Sequence, residues 1–171
     1  MDHDERFNKL IEDLYQAAKN YEQLLNKTVI FSNSEFLIQK TYNAKFYKDN
    51  FLHLTGVKTK IVAKDFFDRC LKKDLTESDI TNFKDEYRSR ISGKLKNLLF
   101  INTFFDQELE AQESFTKNSI ICAIATSDGV KTFGFVQAGK ILLPMTILNR
   151  NRLDASKPIL KIKPKTISTK T

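Results

Sequence analysis

The sequence has few of the residues that build disulfide frameworks, metal centres or flexible linkers. Its two cysteines, Cys70 and Cys122, lie far apart inside apolar patterns, without a C-x-x-C pair or a cluster of histidines. This pattern predicts buried free thiols rather than a disulfide or a zinc site, and it favours a reducing cytoplasm. Three prolines and five glycines are too sparse for a low-complexity linker.

Long apolar runs and familiar catalytic motifs are also missing. No run approaches the ~18 apolar residues of a membrane span, and the segment MDHDERF is acidic and polar, so we expect neither a secreted precursor nor a membrane protein. The chain contains no P-loop, GxGxxG, HExxH or GxSxG motif, and no cluster of acidic residues that could hold magnesium. We therefore expect no metal site and no cofactor.

Positive charge is in excess. Lysine and arginine number 28 against 21 acidic residues, which gives a net charge of +7. Such a surplus attracts polyanions such as nucleic acid or an acidic protein surface, although an ordinary lysine-rich surface gives the same balance. The 41% hydrophobic content is enough for one compact core.

The order of the elements predicts an α+β fold. From Asp4 onward, apolar residues recur at steps of three and four, which predicts an amphipathic helix of about six turns. Strand-forming residues follow at 28–31 and 35–47, and helical spacing returns at 63–71 and 87–102. We expect N-terminal helices packed on a curved antiparallel sheet formed mainly by the C-terminal third.

The domain boundaries follow from this order. Residues 1–27 are predicted to form the N-terminal amphipathic helix, residues 28–165 an α+β domain, and residues 166–171 a flexible tail. The acidic segment FDQELEAQES, residues 105–114, is predicted to be an exposed connection.

His53 is the first candidate for chemistry. It lies in KFYKDNFLHLTGV, residues 45–57, where a strand-like run gives way to a helical one. Because an imidazole gains or loses a proton near neutral pH, His53 is a candidate acid or base. A half-buried histidine that bonds a backbone carbonyl and fixes the strand-to-helix turn fits the pattern equally well. The other histidine, His3, is predicted to be uninvolved.

Polar and cationic residues elsewhere suit metal-independent cleavage of RNA, in which the 2′-hydroxyl of the substrate attacks phosphorus. The protein then needs a proton acceptor, a proton donor and cations. Thr55 and Gly56 predict either a turn whose amides approach a phosphate or a helix cap. Tyr47 and its aromatic neighbours Tyr42 and Phe46 predict either base stacking or core packing.

Two groups of cations have the same double interpretation. Lysines 161 and 163 of the terminal strand, with Arg150 and Arg152 before it, make a cationic patch if they converge; otherwise the lysines protect an edge strand. The third helix carries cations that either touch phosphates or face water: Arg88, Arg90, Lys94 and Lys96.

Four segments together resemble a known family. They are KFYKDNFLHLTGV, AKDFFDRCLKKDLT, GFVQAGKILLPMTIL and ILKIKPK, and they are similar to the fourth family of phage-encoded nuclease-like domains in the barnase, EndoU, colicin and RelE superfamily. The resemblance spans residues 28–165. It implies helices joined to a curved antiparallel sheet and metal-free RNA cleavage. It also implies active-site positions at His53 and Thr55, with Thr146 and Lys161 as polar groups at strand ends.

Two functions follow as hypotheses, beside the third possibility of a plain structural domain with no role in nucleic-acid binding. The first is a phage- or prophage-linked domain in the host cytoplasm that engages RNA and cuts it without a metal. His53 would then transfer protons, with Lys161, Lys163 and Arg150 stabilising charge. The alternative is a non-catalytic viral or mobile-element protein that binds a host nucleoprotein or nucleic acid as an anti-defence inhibitor. Such an inhibitor could present Asp106–Glu113 as a phosphate mimic or form a homodimer through its N-terminal helix.

Overall fold

The computed structural model describes residues 1–169 and confirms the α+β class. None of the helices in this range is both long enough and apolar enough to cross a bilayer. The helices are α1 (His3–Glu22), α2 (Lys48–Thr55), α3 (Ala63–Lys72), α4 (Phe83–Glu86), α5 (Ser92–Leu98) and α6 (Ile101–Phe104). The strands are β1 (Lys27–Ser32), β2 (Thr41–Lys45), β3 (Leu109–Lys117), β4 (Ile120–Ser127), β5 (Lys131–Ala138), β6 (Ile141–Asn149), β7 (Leu160–Ile162) and β8 (Lys165–Ser168).

The chain forms two compact units, each assembled from two separate stretches. The first unit comprises Met1–Gln23 and Tyr47–Ile101, and it holds most of the helical residues. The second comprises Leu24–Phe46 and the chain from Asn102 onward, and it holds all eight strands described.

Helix α1 begins where the sequence supplies a cap. The Asp2 carboxylate accepts a hydrogen bond from the Glu5 backbone nitrogen at 2.8 Å, which satisfies one of the free amides of the first turn. One stripe of the helix is buried, as the steps of three and four predict. Its members are Leu10, Leu14, Ala17, Ala18 and Tyr21. The predicted N-terminal helix is therefore confirmed.

Helix α2 corrects the prediction for the segment that carries His53. The strand-like run ends at Lys45, and residues 48–55 are helical, so His53 lies inside a helix rather than at a strand-to-helix turn. The helix is amphipathic, because Phe51 and Leu54, three positions apart, are both buried. Gly56 ends the helix with a left-handed φ of +76°.

Residues 83–98 form one helical run with a π-helical turn inside it. Helix α4 leads into the π-helical turn at Tyr87–Ile91, and α5 follows directly. The predicted apolar stripe of this run is buried at Tyr87, Ile91, Leu95 and Leu98. A π turn re-aims the side chains that it carries and is frequent at functional sites.

The second unit is one mixed sheet with the strand order β7-β3-β4-β5-β6-β2-β1-β8. Its neighbours are antiparallel except for β2 and β6, which pair in parallel. Six of the eight strands come from residues 109–168, in agreement with the predicted C-terminal sheet. Its apolar core is largely phenylalanine, with ring contacts among Phe31, Phe46, Phe105, Phe133 and Phe135.

The predicted acidic connection is wrong for most of its length, since residues 109–117 form strand β3. Leu109 and Ala111 are buried and Glu110 between them is half-buried, which is the alternation of a strand. The sequence does not show this alternation, because glutamates flank the buried positions and the polar residue Gln112 is buried too. The Gln112 amide binds the backbone of Asp154, whose nitrogen donates to Oε1 at 2.8 Å.

The loop between β1 and β2, residues 33–40, ties the far end of the sheet back to β3 and β7. The Asn33 side-chain amide donates to the Lys161 carbonyl at 3.0 Å, and the Glu113 carboxylate accepts from the Leu37 and Ile38 nitrogens at 2.6 and 3.0 Å. The sheet is therefore curled, because strands near its opposite ends come within hydrogen-bonding distance. The predicted strand at 35–47 shrinks to Thr41–Lys45 because Glu113 takes the loop amides.

The end of the described chain belongs to the sheet. Strand β8 pairs with β1 and includes residues 166–168 of the segment predicted to be a flexible tail. Residues 170 and 171 of that segment lie outside the described residues.

Candidate active site

His53 lies in the last turn of α2 and is exposed to solvent. Within residues 1–169 no hydrogen bond or ion pair engages its imidazole. The ring therefore does not make the backbone contact that a structural histidine at a turn would make. An exposed, unengaged imidazole is available for proton transfer with a ligand.

Thr55 is placed differently. Its side chain is buried, and its hydroxyl donates to the Leu52 carbonyl at 2.7 Å while accepting from the Val57 nitrogen at 3.1 Å. Both capacities of the hydroxyl are used within the chain, at the point where the helix ends. These contacts are those of a helix cap, and they fix the turn that follows His53.

Two cationic side chains pack against Gly56. A Cβ atom at this position would lie 3.0 Å from Lys94 Cδ and 3.2 Å from Arg90 Cγ, so only a glycine leaves the side chains where they are. Gly56 lies three residues after His53, within one helical turn. The stems of Arg90 and Lys94 thus lie against the residue that ends the helix carrying the imidazole.

The environment of Lys94 favours its neutral form more than water does. Burial, and secondarily the nearby Arg90 guanidinium, lower the pKa of Lys94 below its ordinary value of 10.5. A lysine shifted in this direction gives up its proton more readily, which suits a general acid.

Asn82 holds the turn in place. Its amide nitrogen donates to the Gly56 carbonyl at 2.9 Å and its amide oxygen accepts from the Lys58 nitrogen at 2.9 Å, and the residue is buried. Glu86 lies 3.1 Å from Lys58 Nζ and 3.8 Å from Arg90 Nη1, and the hydrogen bond from Lys58 lowers its pKa. Lys58 and Arg90 therefore both lie within 4.0 Å of the Glu86 carboxylate.

Tyr47 immediately precedes α2 and is 47% exposed. Its carbonyl accepts a hydrogen bond from the Tyr21 hydroxyl at 2.6 Å, so its backbone is anchored while much of its ring remains accessible. The neighbouring Phe46 and Tyr42 are buried, which is the core-packing interpretation for those two residues.

The remaining predicted site residues belong to the second unit. Lys161 and Lys163 are exposed at β7, and Arg150 and Arg152 are exposed after β6, with Arg152 Nε donating to the Asn149 carbonyl at 2.7 Å. Strands β3, β4 and β5 lie between β7 and β6 in the sheet, so the two pairs are not on neighbouring strands. Thr146 is buried, and its methyl group packs against Gly134.

The sequence did not link Arg90 and Lys94 to His53. Their spacing of four put both on one side of a predicted helix, but only the fold brings that side against Gly56, 34 positions earlier than Arg90. Within residues 1–169, no three histidine, cysteine or acidic side chains come together as metal ligands would.

The chain matches the model of a known protein family. The model of the family described as phage-Barnase-EndoU-ColicinE5/D-RelE like nuclease4 matches residues 13–169. The match contains the whole span of the resemblance described above and extends into α1. No curated protein and no solved structure shows significant similarity to the chain.

Proposed function

The chain belongs to the fourth family of phage nuclease-like proteins related to barnase, EndoU, colicins E5 and D, and RelE, and on this premise we propose that it is an endoribonuclease that cuts RNA without a metal ion. One observation carries the proposal: an exposed imidazole lies within one helical turn of a glycine against which an arginine and a lysine pack. Transesterification of RNA requires a proton acceptor, a cation and a proton donor, and in this proposal the imidazole, the arginine and the lysine fill these roles in that order.

In the proposed reaction His53 accepts the proton of the 2′-hydroxyl, and the 2′-oxygen attacks the adjacent phosphorus. The Arg90 guanidinium stabilises the negative charge of the phosphorane. As the bond from phosphorus to the 5′-oxygen breaks, the Lys94 ammonium gives its proton to that oxygen. The products are a 2′,3′-cyclic phosphate and a free 5′-hydroxyl, and proton exchange with water restores both side chains.

Other predicted residues have supporting roles in this proposal. Thr55 is a positioning residue that caps α2 and fixes the Gly56 turn, and Tyr47 stacks on a base with its exposed ring. The exposed cations of the second unit bind the phosphates of the RNA strand: Lys161, Lys163, Arg150 and Arg152. Thr146 supports β6, which leads into Arg150 and Arg152, from its buried position.

The direct test compares wild-type protein with His53→Ala on a single-stranded RNA in the presence of EDTA. We expect cleavage with cyclic phosphate ends by the wild type and a loss of roughly 10²- to 10⁴-fold in the variant, since this is the usual contribution of a general acid or base. Asp49→Ala, another exposed side chain on α2, is the matched control and should cleave normally. Thermal unfolding checks that all three proteins are folded.

A second substrate tests the nucleophile. The same strand with a single 2′-deoxynucleotide at the cleaved position should resist cleavage there, because the attacking oxygen is gone. Cleavage at the deoxynucleotide, or equal activity of His53→Ala and the wild type, would contradict the proposed mechanism. Inactivity of the wild type on both RNA and DNA would favour the non-catalytic binding protein instead.

A further inference from the structure

A second set of basic residues surrounds a cavity of about 430 Å³ in the first unit, outside the turn at Gly56. We name it the His3 cavity. Its volume lies within the range of small-ligand pockets, roughly 300–1,000 Å³. Residues from α1, α4 and the π turn line it, among them His3, Arg6, Phe83, Lys84, Asp85 and Arg88.

The cations of the His3 cavity lack the partners that other cations of this unit have. Lys58, Arg69 and Arg90 each lie within 4.0 Å of a carboxylate. Within residues 1–169, no such ion pair involves Arg6, Lys84 or Arg88. Asp85 is the single carboxylate among the lining residues named above, so the three cations Arg6, Lys84 and Arg88 outnumber it. Like charges held around one hollow create a positive potential that an anion relieves.

His3 is held at the edge of this cavity by two contacts. Its Nε2 lies 2.6 Å from a carboxylate oxygen of Glu77, and its ring meets Phe83 edge to face with centroids 5.3 Å apart. The contact with Glu77 leaves Nδ1 as the nitrogen without a hydrogen bond among the described residues. The ring is therefore oriented by the protein while one of its nitrogens remains open to a ligand.

The π turn joins the two basic regions. Arg90 of this turn packs against Gly56, while Arg88, two residues earlier, lines the His3 cavity. One short segment thus supplies a guanidinium to each region. Guanidinium groups are well suited to phosphate because their planar donors match its oxygens.

We propose that the His3 cavity binds another phosphate of the RNA strand that is cleaved beside His53, an inference that rests on the proposed function for its choice of ligand. Arg6, Lys84 and Arg88 contact the phosphate oxygens, and His3 donates or accepts through Nδ1. The cavity contributes to affinity and to the register of the strand, and it takes no part in bond breaking.

The test measures binding rather than cleavage, with the full chain carrying His53→Ala so that the RNA stays intact. Arg6→Gln and Lys84→Gln are added separately, and the affinity for a fluorescent single-stranded RNA is measured over a series of salt concentrations. Each lost phosphate contact should lower the salt slope by about 0.7 and weaken binding about fourfold near 0.15 M salt. Lys64→Gln, an exposed lysine of α3, is the control of equal charge change.

The outcomes separate this inference from the proposed function. Weaker binding by Arg6→Gln and Lys84→Gln, but not by Lys64→Gln, supports the cavity even if the wild type never cleaves RNA. Equal binding by all three variants overturns it even if the wild type is an active nuclease. Inorganic phosphate that shifts the His3 NMR signals, with unchanged RNA affinity in the variants, also overturns it and leaves a site for a free anion. Lys84 is exposed and has no ion-pair partner in the described part of the chain, so its variant tests the cavity if Arg6→Gln fails to fold.

Discussion

Gly56 meets two requirements at one position. Its backbone adopts a left-handed φ of +76°, which side chains with a Cβ rarely adopt, and its missing side chain leaves room for Lys94 and Arg90. Gly139 meets only the first requirement, because its φ is +63° and nothing lies within 4 Å of an added Cβ. Comparing substitutions at the two glycines therefore distinguishes the effect of backbone strain from the effect of crowding at the candidate site.

We predict that Gly56→Ala and Gly139→Ala lose similar stability and differ in activity. Each alanine should cost about 1–2 kcal/mol of unfolding free energy from its left-handed backbone. Only the change at Gly56 displaces Lys94 and Arg90, and a shift of ~1 Å in a catalytic group can cost about 100-fold in rate.

Urea unfolding and RNA cleavage rates check the two halves of this prediction. Equal loss of cleavage in both variants would mean that strain alone explains the effect and that the packing against Gly56 does not matter for catalysis.

The local spacing of apolar residues predicts some elements correctly and others wrongly. Helix α1 is recognisable because its buried residues recur within the helix itself, at steps of three and four. In contrast, the helix at Lys48–Thr55 and the strand at Leu109–Lys117 are decided by what their side chains meet elsewhere in the chain. The same limit applies to the candidate site, where the sequence singles out His53 but not the distant residues that pack beside its helix.

The β1–β2 loop is the clearest case of an element fixed from a distance. The Glu113 carboxylate on β3 accepts hydrogen bonds from the backbone of residues 37–39 and from the Tyr42 hydroxyl. Partial burial by itself would raise the pKa of Glu113, but these hydrogen bonds to the charged form outweigh it and lower the pKa below 4.5. One carboxylate thus stabilises an eight-residue loop.

This arrangement predicts a stability that falls in acid. Because the pKa of Glu113 is lower in the folded chain than in the unfolded chain, its stabilisation is complete above pH 4.5 and is lost as the pH falls through the folded value. Glu113→Gln should lose about 1–3 kcal/mol at pH 7, since hydrogen bonds to a charged acceptor are replaced by weaker bonds to a neutral amide. It should also show a flatter fall in stability below pH 4.5.

Chemical unfolding at several pH values measures both effects. Glu108→Gln, an exposed carboxylate just before β3, serves as the comparison and should follow the wild type. If the unfolding free energy of Glu113→Gln falls in acid as steeply as that of the wild type, other carboxylates cause the fall.

At the scale of the whole molecule, the net charge is +7, and the cations form several basic regions with different proposed roles. The cations near Gly56 are proposed to act on the bond that is cleaved, whereas the exposed pairs at β6 and β7 are proposed only to bind the strand. Binding groups change KM, while groups that act in the transition state change kcat.

We therefore predict a split between two sets of variants. Replacing Lys161, Lys163, Arg150 and Arg152 by glutamine should raise KM, with a loss of about 0.7 in the salt slope for each phosphate contact removed, and should leave kcat close to the wild-type value. Lys94→Gln should lower kcat instead. Steady-state kinetics at several salt concentrations distinguish the two, and an unchanged KM in the fourfold variant would exclude these residues from RNA binding.

The path of the chain through its two units limits how the protein can be divided. The backbone passes from one unit to the other after Gln23, after Phe46 and after Ile101, so each unit is interleaved with the other along the sequence. No single scission of the chain separates one unit from the other. A fragment that starts at residue 28 lacks both α1, with its five buried side chains, and the first residue of β1. A single recombination crossover between residues 24 and 101 would therefore divide at least one of the two units between different parent chains.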